Sequence, residues 1–151
     1  MKSRCFVFVR KSGAPLAGVL NGGHVGWGFQ VGEDRFYYGS TENRSGSPFV
    51  APGEDNDWWA ADGTEAEMLA RFIELDYDGY KVATVREPHP EAARRLAEES
   101  QQWGYTGLTN NCLDHLWRIL EAYGEPWLPF AQTHPIPNDW FAQYLGEYRN
   151  L

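Results

Sequence analysis

The chain is poor in cysteine, in clustered positive charge and in long apolar stretches, and each shortage closes off a class of function. It has two cysteines, Cys5 and Cys112, in 151 residues. Two cannot build the disulfide framework of a small secreted domain. Lys and Arg number 13 against 21 Asp and Glu, a formal charge of −8 with histidine neutral. A net-acidic surface without a Lys/Arg run repels phosphate backbones and anionic lipid, so neither nucleic acid nor a membrane surface is an expected partner. No apolar segment has the length of a membrane span. The apolar run in "MKSRCFVFVRKSG" is too short, and too closely flanked by charge, for a secretory leader. The expected location is the cytoplasm, where both cysteines stay reduced and a disulfide between them is not expected.

What is present is a globular composition, 42% hydrophobic and 15% aromatic, of a size that suits one domain over residues 1–151. Seven tryptophans and eight tyrosines point to large buried or ligand-lining rings. Arg4 to Arg10 reads as a strand closed by a Ser-Gly-Ala-Pro turn. "HVGWGFQVGEDRFYYGS" reads as a hairpin around Gly-Glu-Asp, and the glycines of its first arm imply a close approach to that backbone. Ser40 to Gly63, rich in Gly, Pro, Asn and Asp, reads as a long surface loop with a functional purpose. Thr64 and Glu67 form a capping-box pattern ahead of Met68, Leu69, Phe72, Ile73 and Leu75 at helical spacing. "GYKVATVRE" is a strand, and Pro88 and Pro90 introduce a second helix. A third helix begins near Cys112 and ends at Gly124, and a short one starts near Asn138 or Asp139. The expected class is α+β, a mostly antiparallel sheet flanked by helices.

The stretch "LTNNCLDHLW" places a scarce cysteine at the mouth of a helix. Asn111 suits the N-cap, so Cys112 falls in the first turn. Unpaired N–H groups there stabilise a thiolate and can hold an oxyanion. Asp114 opposes a thiolate but can complete the cap. Taken alone, Cys112 fits core filler better than a nucleophile, because free cysteine is among the most buried residue types. A nucleophilic cysteine needs an imidazole, and His24 in "GGHVGWGF" stands on a strand with small neighbours.

The order of these pieces, "GGHVGWGFQVGEDRFYYGS" early and "YTGLTNNCLDHLWRIL" late, resembles the circularly permuted papain-like thiol hydrolases. These include the permuted NlpC/P60 proteins, the lecithin:retinol acyltransferase-like proteins and the PPPDE peptidases. The resemblance implies an NlpC/P60-like fold and a thiol peptidase, amidase or acyltransferase acting on an amide, ester or thioester. It makes Cys112 the nucleophile and His24 the general base. A third polar residue on the next strand falls near Tyr38 by hairpin parity, where the families carry His, Asn or Gln. Asn111 and Tyr105 are further candidates for orienting the site or holding the oxyanion. The families often have His two residues after the cysteine; here Asp114 stands there and His115 follows. The implied partner is a peptide or small acyl substrate, without a cofactor.

Two other readings stand beside this one. Cys112 and His115 form C-x-x-H, with His24, His89 and His134 as distant partners for a metal, although specific zinc motifs bring paired ligands at both ends. The same fold could also be a non-catalytic peptide-binding module with Cys112 buried, and the tryptophans of "DNDWWAAD" and "HPIPNDWF" would suit either a substrate pocket or a partner surface.

Overall fold

The computed structural model describes residues 2–12, 15–16, 20–107, 110–144 and 146–151. In chain order the elements are β1 (Ser3–Arg10), β2 (Pro15–Leu16), β3 (Leu20–Asn21), β4 (His24–Gly32), β5 (Arg35–Thr41), β6 (Phe49–Val50), β7 (Trp58–Gly63) and α1 (Glu65–Glu74). They continue with β8 (Gly79–Val85), α2 (Pro90–Glu99), a 3-10 turn (Ser100–Gln102), β9 (Tyr105–Thr106), α3 (Cys112–Tyr123), α4 (Pro137–Gln143) and β10 (Glu147–Asn150). The fold is α+β. Its main sheet has six strands in the order β10-β8-β1-β4-β5-β7, and every pairing is antiparallel. Among the described residues no helix is long and apolar enough to cross a membrane.

Side chains alternate across a sheet, and β1 shows what that does at its centre. Cys5, Val7 and Val9 join the core under α2, α3 and α4, while Phe6 and Phe8 join a second core under α1. Burial on both faces is why "CFVFV" reads as a continuous apolar run rather than an alternating one. The glycines of β4 answer to the second core. A Cβ on Gly26 would lie 2.7 Å from the Phe72 ring, and one on Gly28 would lie 2.7 Å from Met68 Sδ. What approaches this backbone closely is α1, and the room beside Gly26 is already filled.

The helices begin and end where their cap chemistry places them. Thr64 and Glu67 close a reciprocal capping box on α1, and Asn111 and Asp114 do the same on α3. Pro90 and Pro137 open α2 and α4. Gly124 ends α3 at φ 108°, a conformation that costs glycine nothing.

The segment from Ser40 to Gly63 differs from the expected long loop. Ser40 and Thr41 finish β5, Phe49–Val50 pairs with β9, and Trp58–Gly63 is an edge strand of the main sheet. Ala, Asp and Gly are poor strand formers, so "WWAADG" carries little local signal, and pairing with β5 decides its conformation. Strand β10 was likewise not expected. Of the Ser-Gly-Ala-Pro turn after β1, Gly13 and Ala14 lie outside the described residues.

Candidate active site

The site lies where the start of β4, the end of β5 and the start of α3 converge. Cys112 is the first residue of α3, and the side chain of Asn111 caps the helix through Leu113 N at 2.9 Å and Asp114 N at 3.2 Å. Asn111 Nδ2 also donates to Gly107 O. Both ends of this amide are therefore used in fixing the helix start, and two N–H groups at the mouth of α3 are already satisfied. His24 opens β4 just after Gly23, whose φ is 80°. Cys112 and His24 are neighbours, close enough for the thiol to act electrostatically on the imidazole. Both are deeply buried, at 3% and 2% exposure.

The imidazole also meets a residue that the sequence alone did not single out. His24 Nε2 lies 2.8 Å from Ser40 Oγ and 3.0 Å from Glu42 Oε2. Glu42 is buried and surrounded by donors. Oε2 also accepts from Arg10 Nη2 at 2.7 Å, while Oε1 accepts from Trp59 Nε1 at 3.0 Å and from the Tyr77 hydroxyl at 3.0 Å. Ser40 Oγ points its own hydrogen at Val25 O.

These contacts set the charges. Burial alone would raise the Glu42 carboxyl, but the hydrogen bond and charge of His24, with Trp59 and Arg10, hold it down at about 2. Burial would lower His24, but the charge and hydrogen bond of Cys112, followed by those of Glu42, raise it to about 9. Burial and the Glu42 charge keep the Tyr77 hydroxyl far up, so it stays a donor.

Tyr105 is also a neighbour of Cys112. It pairs with Val50 across the β6–β9 ribbon. Burial first, and then the charge of Cys112, push its hydroxyl well above the ordinary tyrosine range, while hydrogen bonds from Asn43 and from the Cys112 backbone act against them.

Of the five residues expected at the site, the structure brings Cys112, His24, Tyr105 and Asn111 together. Tyr38 is elsewhere. It packs in the α1-side core with Phe36, Met68 and Phe72. The register explains the distance. Gly28 faces Tyr38 and Trp27 faces Gly39, so continuing the ladder sets His24 against Glu42. Hairpin parity selects the correct face of β5, but the position opposite His24 is four residues beyond Tyr38. A bulge between Gln30 and Gly32 shifts the pairing by one, so counting from the turn would point to Asn43.

His115 and His134 are committed to other contacts. His115 Nδ1 meets Thr41 Oγ1 at 2.7 Å and Nε2 meets Asn110 Oδ1 at 2.7 Å; burial and Arg118 lower its pKa to about 3. It is a neutral tie between β5, α3 and the preceding loop, and it has no lone pair left for a metal. His134 pairs with Asp139 at 3.0 Å. Among the described residues no three His, Cys, Asp or Glu side chains are grouped to hold a metal ion. The tryptophans divide similarly. Trp59 reaches Glu42, Trp58 Nε1 donates to Ala97 O, and Trp140 is core with Nε1 on Pro129 O.

Set against protein-family models, curated proteins and solved structures, the chain finds no match.

Proposed function

We propose that the protein is a thiol hydrolase or acyltransferase of permuted papain-like type, acting on an amide, ester or thioester bond through Cys112, His24 and Glu42. The observation that carries this reading is one imidazole that neighbours a thiol and pairs with a buried, fully hydrogen-bonded carboxylate. Ser40 and Glu42 both offer acceptors to Nε2, so Nε2 carries a proton and Nδ1 is the nitrogen left to take one from the thiol. The Cys112 thiolate attacks the carbonyl carbon, and the proton held on His24 passes to the leaving amine, alcohol or thiol as its bond to carbon breaks. In hydrolysis, His24 then removes a proton from water, which attacks the thioester, releases the acid and restores the thiol. Glu42 orients the ring and balances the imidazolium. Arg10, Trp59 and Tyr77 keep the carboxylate in place. The helix N–H groups of Leu113 and Asp114 are occupied by Asn111, which leaves the Tyr105 O–H as the donor beside the thiol for the developing oxyanion.

A second reading, a binding module in which Cys112 is packing, is favoured by the 3% exposure of that residue. The alkylation rate of Cys112 by iodoacetamide against pH, in wild type and in His24→Ala, separates the two. Fast modification near neutral pH that slows in the variant is the expected result. A slow reaction indifferent to His24 would make Cys112 core filler and remove the enzymatic reading.

A further inference from the structure

The far end of α3 holds a second buried polar site that the proposed chemistry does not use. A 12-residue helix is about 18 Å long, so this site stands well away from Cys112. Glu125 follows the terminal Gly124 and is 4% exposed. Its Oε2 accepts from the Tyr144 hydroxyl at 2.7 Å and lies 3.5 Å from Cys5 Sγ, while Oε1 accepts from Trp127 N at 3.0 Å. All three donors are neutral. Among the described residues no ion pair involves Glu125. Lys81, on the adjoining strand, is committed to the carbonyls of Phe141 and Tyr144.

A buried carboxylate without a cation is costly. Glu125 directly follows the C-cap of α3, and a helix C-terminus repels anions and favours cations. Glu125 also lines a cavity. A space of about 440 Å³ is bounded by Val82, Ala83 and Thr84 of β8 and by Glu125, Trp127, Tyr144 and Gly146. Trp127 is among the residues that line it and stands at 72% exposure. An aromatic residue and a carboxylate lining one mostly apolar space are features that recognise an organic cation, through cation–π attraction and charge together. The chain's net charge of −8 draws such a ligand in.

We propose that this cavity is a binding site for a small organic ammonium ion, with Glu125 as counter-charge and Trp127 and Tyr144 as its aromatic walls. The site does not depend on the thiol chemistry at the other end of α3. Cys5 and Tyr144 serve it by holding the carboxylate through neutral donors, which leaves its charge for the ligand.

The test is calorimetric titration at constant ionic strength with tetramethylammonium and n-butylammonium, with tert-butanol as the neutral probe of similar shape. The Trp127 indole is followed by NMR in the wild type. Saturable binding of an ammonium is expected, with a shift at Trp127, no response to tert-butanol, and at least about tenfold weaker binding in Trp127→Ala and Glu125→Gln. Trp127 is exposed, so its variant folds even where Glu125→Gln does not. Nα-acetyl-lysine N-methylamide, titrated in parallel, tells a peptidyl lysine from a free amine as the source of the same head group. No saturable binding of any of these cations, an equal response to tert-butanol, or affinity unchanged in Trp127→Ala would each overturn the site. Alkylation of Cys112 reads the other end separately.

Discussion

At the first turn of α3 Cys112 faces an imidazole, and just past its last turn Cys5 faces a carboxylate. The two thiols are almost equally buried, at 3% and 0% exposure, and both are free. Their neighbours differ in sign. Beside Cys112, His24 can take a proton and then carry the positive charge that balances a thiolate. Beside Cys5, burial and the Glu125 charge both push the thiol far up and keep it protonated. The helix accentuates the contrast, since its positive end lies at Cys112 and its negative end at Glu125. Burial alone therefore does not decide what a cysteine does; the charge it is buried against does.

The largest expected effect tests that contrast directly. Cys112→Ser should lower turnover of an activated acyl ester by about 10³-fold or more, with the circular dichroism spectrum unchanged, while Cys5→Ser leaves turnover where it was. Equal losses from both substitutions would dissolve the distinction between the two ends.

Glu42→Gln comes next, because it leaves Arg10 and His24 facing a neutral group. It should cost about 3 kcal/mol near pH 6. Glu42 has its folded pKa depressed from 4.5 to about 2, so its contribution is complete above 4.5 and fades as pH falls towards 2. His24 has its folded pKa raised from 6.5 to about 9, so its contribution is complete below 6.5 and fades as pH rises through 9. Both contribute fully between pH 4.5 and 6.5. Chemical denaturation across pH should show the wild-type advantage over Glu42→Gln shrinking below pH 4.5. An advantage that persists undiminished to pH 2 would mean that the carboxylate is not held ionised by these partners.

The smallest effect separates the tyrosine beside Cys112 from the one packed in the α1-side core. Tyr105→Phe should lower turnover by about 10²-fold, the usual cost of an oxyanion donor, with little change in the alkylation rate of Cys112. Tyr38→Phe should change neither. A loss of turnover in the Tyr38 variant would contradict its place in the α1-side core.

Much of the scaffold could be read in advance. The start of α3 at Cys112 follows from Asn111, and its end follows from Gly124. The β4–β5 hairpin follows from its turn, and α1 from Thr64 and Glu67. These are local rules, in which each residue acts on backbone groups a few positions away. The site was legible to the same depth. Cys112 and His24 carry motif context, whereas Glu42 sits in a polar stretch that looks like loop, and a one-residue bulge hides its position opposite His24.

What the sequence by itself determined, then, is where helices begin and end, which faces are apolar, and which two residues could form a thiol–imidazole pair. Tertiary structure alone decided what surrounds each ionisable group. The donors to Glu42 come from β1, β4, β7 and the turn before β8, and Cys5 meets Glu125 across 120 positions of chain. A carboxylate's charge state and purpose depend on partners within a few ångströms in space, and spacing along the chain carries no record of those.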